Sequence, residues 1–147
     1  NQTTHGFGPH LMLDLWQCDK TKLIDLTFIY SLLDSLPQKI DMHKIAPPQV
    51  VSYPGKEGTF DKGGISGFVL IAESHITCHT FEEQAHVFID IFSCKPFNID
   101  KAVNILIDAF GAKKYSKKIT DRGEEFPKDV ILASAIVQNE RSNADEK

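Results

Sequence analysis

The stretch GFVLIAESHITCHTFEEQAHVFIDIFSC, residues 67–94, decides the fold. It begins with the continuous apolar run Gly67–Ala72, which predicts a central strand, and continues with a weaker alternation over Glu73–Phe81. Ala85–Cys94 then alternates β-branched and aromatic residues, which indicates a further strand with two distinct faces. Because the connections between these strands are short, we expect antiparallel pairing.

Three further segments are typical of strands. Leu11, Leu13 and Leu15 occupy every second position near the start of the chain, the spacing of a half-buried strand. Gln49–Tyr53 follows a proline-rich loop and predicts another strand. Lys113–Thr120 carries several lysines, which are typical of an edge strand because their charge prevents pairing with other chains.

Two amphipathic segments predict helices. Apolar side chains in the first recur at three- and four-residue steps until Pro37, which we expect to end the helix. The second is expected to end at Gly111. The candidate N-caps are Asp19 or Thr21 for the first helix and Asn98 or Asp100 for the second. Two helices covering one face of an antiparallel sheet make an α+β, two-layer sandwich.

Composition limits the classes of protein. The chain has 147 residues, of which 41% are hydrophobic and 24% charged, so we expect a single domain over 1–147 with a real core. A net charge of −4 argues against a nucleic-acid partner. The longest apolar run, 130–137, is interrupted by Ser134 and falls far below the roughly 20 residues of a membrane span. The polar start, 1–5, lacks the apolar segment of a signal peptide.

The cysteines indicate the compartment. There are three, an odd number with no C-x-x-C pair, which is unlike a secreted disulfide scaffold. Free thiols in the reducing cytoplasm are therefore expected.

The segment 73–80 concentrates a carboxylate, hydroxyls, two imidazoles and a thiol. A metal site would have to draw on His75, Cys78, His79, His86 or Cys94. No pair among them has a standard short-loop spacing, and strand alternation puts Cys78 opposite both His75 and His79. A serine hydrolase is disfavoured because Gly64–Gly67 is not a G-x-S-x-G elbow. Periodicity alone favours ordinary polar residues on a solvated sheet face.

Four segments together change that interpretation. They are GPHLMLDL with Cys18-Asp19, Phe60 with GGISG at 63–67, AESHI at 72–76 with His79-Thr80, and DIFSC at 90–94. In this order and spacing the chain resembles the short prokaryotic S-adenosylmethionine decarboxylases, pyruvoyl-dependent enzymes of polyamine synthesis. The similarity extends over roughly residues 8 to 125.

The resemblance implies a proenzyme that cuts itself between Glu73 and Ser74 into chains 1–73 and 74–147. Ser74 is expected to attack the preceding carbonyl and to become a pyruvoyl group, which forms a Schiff base with the substrate. His79 matches the base that removes the α-proton during processing, and Ser66 matches the hydroxyl that supports it. Because Ser74 and His79 face opposite ways on a regular strand, a bend or bulge between them is expected.

The resemblance also implies roles in the mature enzyme. Cys94 matches the proton donor, and a thiol with a reference pKa near 8.5 can give and regain a proton near neutrality. Phe60, with Phe7, is expected to hold the adenine and to attract the sulfonium cation. Glu83 matches the acid that binds the ribose hydroxyls. The short members of the family are homodimers in which both chains contribute to each site.

One departure from the family leaves the substrate open. The usual Trp-Pro-Glu after His-Thr is Phe81-Glu82-Glu83 here, so Phe81 takes the place of the binding tryptophan and a carboxylate is added. The same cofactor could then serve another amino acid such as ornithine or arginine. A third possibility is an unprocessed, non-catalytic relative that binds or regulates a partner.

Overall fold

A computed structural model describes residues 7–123, which form one six-stranded sheet and three helices. In chain order the elements are β1 (Gly8–Trp16), α1 (Lys20–Leu23), α2 (Leu26–Lys39), β2 (Gln49–Tyr53), β3 (Gly64–Ile71), β4 (Ser74–Phe81), β5 (His86–Ser93), α3 (Ile99–Phe110) and β6 (Lys114–Arg122). The strand order is β2-β3-β4-β5-β1-β6, and every pair is antiparallel. The predicted α+β class is confirmed.

The helices pack on one face of the sheet, and on that face alternate residues of β1, β3, β4 and β5 are buried. Leu11, Leu13 and Leu15 of β1 are fully enclosed with Leu33 of α2 and Phe110 of α3. The opposite side, which we call the open face, carries the alternate side chains. Its exposed apolar members include Phe68, Leu70 and Phe88. The apolar run of β3 is therefore buried on one side only within the described chain.

The first helical segment differs from the prediction, because it is two helices. Asp19 caps α1 by accepting a hydrogen bond from the backbone N–H of Thr21, and Asp25 caps α2 by accepting from that of Phe28. Pro37 does not end α2, which continues to Lys39. A proline lacks only its own N–H, and the Pro37 carbonyl still accepts hydrogen bonds from the residues that close the last turn.

The predictions for the second amphipathic segment, which is α3, and for the edge strand, which is β6, are confirmed. Asn98 caps α3 by accepting from the backbone N–H of Lys101, and Gly111 ends it at φ 60°, a left-handed conformation that favours glycine. β6 lies at the sheet edge with all its residues exposed. None of the helices in residues 7–123 is long and apolar enough to cross a membrane. The apolar run 130–137 lies outside the described residues.

We predict that Asp25→Ala lowers the free energy of unfolding by about 1 kcal/mol, because α2 loses its N-terminal hydrogen bond. Asp25→Asn is the matched control, since its amide oxygen can accept the same bond. Urea denaturation of both variants measures the difference. Equal destabilisation by alanine and asparagine would show that the carboxylate charge, and not the hydrogen bond, supports the helix.

Candidate active site

Two of the predicted site residues meet across neighbouring strands. Ser66 of β3 is paired with His79 of β4, and its Oγ lies 2.9 Å from His79 Nδ1 on the open face. Thr80, the next residue, points into the core, where its hydroxyl donates to the Leu23 carbonyl and accepts from the Ile65 N–H, both at 2.8 Å. Of the His-Thr motif, the histidine is thus available for chemistry, and the threonine fixes the strand.

The predicted cleavage site lies at the start of β4. Ser74 is paired with Ser93, the last residue of β5, and the carbonyl oxygen of Glu73 accepts a hydrogen bond from the Cys94 N–H at 2.9 Å. β1 passes so close that a Cβ on Gly8 would lie 1.8 Å from the Ser93 carbonyl oxygen, so only glycine fits. The Glu73–Ser74 bond and the predicted proton donor Cys94 are therefore neighbours.

The side chain of Glu73 is anchored by residues that the sequence does not reveal. Glu73 is only 6% exposed, and its Oε1 lies 2.8 Å from Nδ1 of His43 and 3.7 Å from Nζ of Lys95. The backbone N–H of His43 donates to the same oxygen at 3.0 Å. Burial raises the pKa of Glu73, but these hydrogen bonds and the Lys95 charge outweigh burial and hold the pKa below its usual value.

The expected bend between Ser74 and His79 is absent. β4 pairs with β5 without interruption from Ser74 to Phe81, and no bulge occurs within this described strand. Five residues of regular strand separate the two by roughly 16 Å. The prediction of a bulge is therefore wrong, and His79 lies too far from Ser74 of the same chain to act on it.

The three cysteines are free and differ sharply in environment. Cys78 points into the core, where burial and then the neighbouring Cys18 raise its pKa to about 12. Burial likewise raises the pKa of Cys18 to about 11. Both are packing residues, whereas Cys94 is exposed beside the cleavage site. Because Cys78 and His79 point to opposite sides of β4, they cannot bind one metal ion.

The predicted substrate-binding residues fall into two groups. Phe7 lies at the Cys94 end of the sheet, where its ring centroid is 5.8 Å from that of Phe92. Phe81 lies at the other end of β4, and Glu83 is in the turn that follows it. Phe60, 80% exposed on the β2–β3 loop, joins this second group, because its carbonyl accepts a hydrogen bond from Gln84 of the same turn.

Comparison with known proteins identifies the family. The family model described as S-adenosylmethionine decarboxylase matches residues 9–123. The chain belongs to the S-adenosylmethionine decarboxylase family. It is 33% identical to the S-adenosylmethionine decarboxylase proenzyme of Geobacillus sp. (strain WCH70), over 88% of this chain and 97% of the relative. The corresponding figures for the proenzyme of Clostridium botulinum (strain Langeland) are 35%, 80% and 95%.

A solved structure supports the same family. The crystal structure of the adenosylmethionine decarboxylase from Aquifex aeolicus VF5 matches with a TM-score of 0.65 and 26% identity, covering 80% of this chain and 92% of that one. The resemblance inferred from the four sequence segments is confirmed, and so is the enzyme class.

Within this family member, the residues predicted to be functional form two clusters at opposite ends of β4. The cleavage cluster contains Glu73, Ser74, Cys94 and Phe7. The histidine cluster contains Ser66, His79, Phe60, Phe81 and Glu83. One chain therefore carries all the predicted residues but does not bring the two clusters together.

We predict that native precursor treated with iodoacetamide at pH 8 is alkylated at Cys94 and not at Cys18 or Cys78. The reason is that the two core thiols are buried and their pKa values are raised to about 11 and 12. Peptide mass spectrometry locates the label. Cys94→Ser should remove the native labelling, and unfolding in urea should expose the other two thiols. Native labelling of Cys78 would contradict the described core.

Proposed function

We propose that this chain is a proenzyme that cuts itself between Glu73 and Ser74 and then decarboxylates S-adenosylmethionine with the pyruvoyl group formed at Ser74. Family membership supports the reaction, and the relatives are named proenzymes. The observation that carries the cleavage site is the hydrogen bond that holds the Glu73 carbonyl on the Cys94 N–H, beside the Ser74 hydroxyl. The products are the chains 1–73 and 74–147.

The self-cleavage follows from the position of the hydroxyl. Ser74 Oγ attacks the carbonyl carbon of Glu73, the C–N bond breaks, and the hydroxyl proton passes to the freed amine, which leaves an ester. Charge that develops on the carbonyl oxygen is stabilised by the Cys94 N–H. Removal of the Ser74 α-proton then breaks the ester bond to Ser74 Oγ and releases the main-chain carboxylate of Glu73, which becomes the new C-terminus. Water finally releases ammonia, and the ketone remains at the start of chain 74–147.

The base for the α-proton is proposed to come from a second copy of the chain. His79, held by Ser66, is about 16 Å along β4 from Ser74 of its own chain. It lies on the open face, together with the exposed side chains of Phe68, Leu70 and Phe88. Ser74 and His79 point to opposite sides of β4, but Cys94 continues the open-face positions of β5. A two-fold axis through the open face would therefore bring the histidine cluster of one copy beside Cys94 of the other. We therefore propose a homodimer with two composite sites.

The residues present suit the proposed cofactor, because the precursor serine belongs to the chain and has an exposed thiol beside it. A pyruvoyl group at Ser74 would supply a ketone able to bind the substrate α-amine and to act as the electron sink for loss of carbon dioxide. Cys94 returns a proton to the α-carbon. Phe7 and the partner's aromatic residues, Phe60 and Phe81, hold the adenine and attract the sulfonium cation, and Glu83 binds the ribose.

A different amino-acid substrate is the second candidate. Glu82 stands in the place of the proline of the usual Trp-Pro-Glu pattern, and it is exposed near Lys62 at the end of β4. A carboxylate there could bind the distal cation of ornithine or arginine.

A non-catalytic regulator is the third candidate, and it predicts that the chain stays intact. The free thiols further support our proposal that the protein is cytoplasmic.

We predict that purified wild-type protein contains a fragment ending at Glu73, and that Ser74→Ala remains a single inactive chain. The alanine lacks the nucleophile and cannot yield a ketone. Intact-mass spectrometry detects the cut. Carbon dioxide release from S-adenosylmethionine, ornithine and arginine, measured in parallel, identifies the substrate. An intact wild-type chain would support the regulator, and activity surviving in Ser74→Ala would sink the pyruvoyl proposal.

A second prediction concerns the composite site. We expect His79→Ala to remain uncut when it is expressed alone. Co-expression with Ser74→Ala should restore its cleavage, because the mixed dimer joins Ser74 of one chain to His79 of the other. Differently tagged chains followed by mass spectrometry show which is cut. Persistent failure in mixed dimers that demonstrably form would mean that both residues act within one chain.

A further inference from the structure

The segment between α2 and β2 lies against the end of β3. The Ile45 N–H donates to the Leu70 carbonyl at 3.1 Å, and the Ala72 N–H donates to the His43 carbonyl at 2.7 Å. This short ladder places His43 beside the residue that precedes the cut, although His43 lies 30 positions earlier in the chain.

Glu73, the residue before the proposed cut, is held at both its side chain and its backbone carbonyl. Its carboxylate is bound by the ring and the backbone of His43, and the ammonium of Lys95 is 3.7 Å away. Its carbonyl oxygen accepts from the Cys94 N–H. Lys95 is itself fixed, since its backbone N–H and carbonyl both bond the Ser93 hydroxyl, at 3.1 and 2.8 Å.

We propose that His43 is a positioning residue for self-cleavage, which holds Glu73 so that its carbonyl stays aligned for attack by Ser74. The inference rests on the self-cleavage proposed above. His43 touches neither the attacking hydroxyl nor the scissile bond, so it is not a catalytic residue. It acts by fixing Ala72 through its own carbonyl and Glu73 through its ring.

The physical reason is the burial of the Glu73 carboxylate. A buried charge that loses a hydrogen-bonding partner is costly, and the chain relieves that cost by turning the side chain toward water. We infer that a released side chain also loosens the short segment Ala72–Glu73, which His43 holds, and so weakens the hydrogen bond from the Cys94 N–H to the Glu73 carbonyl. Small misplacements of reacting groups slow a reaction by roughly 10- to 100-fold, so the His43 contact controls the first step.

The contacts also have a role after the cut. Glu73 becomes the last residue of chain 1–73 and gains a second carboxylate, while His43 stays on the same chain and Lys95 belongs to chain 74–147. The ion pair between Lys95 and Glu73 then joins the two products across the cut.

The test compares the rate constants of self-cleavage of freshly purified precursors. His43→Ala should be cut roughly 10- to 100-fold more slowly than wild type. His43→Asn keeps an N–H close to the position of Nδ1 and should be cut within a few-fold of the wild-type rate. Lys44→Ala removes a neighbouring side chain that binds Asp34 on the surface, so it is the matched control and should match wild type.

Hydroxylamine identifies the affected step. It attacks esters but not amides, so it cleaves a precursor that has formed the ester and cannot eliminate. His79→Ala should therefore be cut on addition of hydroxylamine. His43→Ala should not be accelerated, because its defect precedes the ester. Thermal unfolding tests for a purely structural role. Such a role would lower the melting temperature without producing this difference between the two variants in their response to hydroxylamine.

Three results would overturn the role of His43, and a fourth would overturn the proposed function. Cleavage of His43→Ala at the wild-type rate overturns the inference. So does its full rescue by hydroxylamine, which would place the defect after the ester, and so does a His43→Asn variant as slow as alanine. A wild-type precursor that is never cut between Glu73 and Ser74 refutes the proposed function itself. Cleavage of the wild type is therefore measured before the variants are compared.

Discussion

The uninterrupted antiparallel pairing of β4 with both of its neighbours determines where the proposed site residues lie. With β3 it sets Ser66 against His79, and with β5 it sets Ser74 against Ser93 and brings the Cys94 N–H to the Glu73 carbonyl. Because a strand extends by about 3.3 Å per residue, the same regularity holds the two clusters apart. A regular strand thus fixes the geometry within each cluster and keeps the two clusters apart in one chain.

The open face offers a physical resolution. The helices enclose one side of the sheet, and the other side carries exposed apolar residues beside the polar pair Ser66 and His79. Covering the exposed side chains of Phe68, Leu70 and Phe88 is favourable, and in the proposed homodimer a second copy would cover them and set the two ends of β4 against each other. Burial and catalysis then call for the same assembly, which is why we favour a dimer over a rearrangement within one chain.

Local sequence patterns predict most of the helices and strands, but they do not predict the tertiary contacts between them. Alternation located β1 and β5, and Asn98 and Gly111 marked the ends of α3. The apolar spacing runs through Asp25 and hides its role as a cap. The opposite facing of Ser74 and His79 predicts a bulge, but the pairing of β4 with β5 is regular between them. The role of His43 depends on a tertiary contact with Glu73, which no local pattern encodes.

The environment of Glu73 shows how a single buried carboxylate can serve folding and chemistry together. Burying it costs free energy, which two hydrogen bonds from His43 and the charge of Lys95 offset, so the pKa falls and the group stays ionised. The anchored side chain and the hydrogen bond from the Cys94 N–H together restrain Glu73, whose carbonyl we propose is attacked by Ser74. An apolar residue there would be cheaper to bury, but it would leave the carbonyl free to rotate away from the Cys94 N–H.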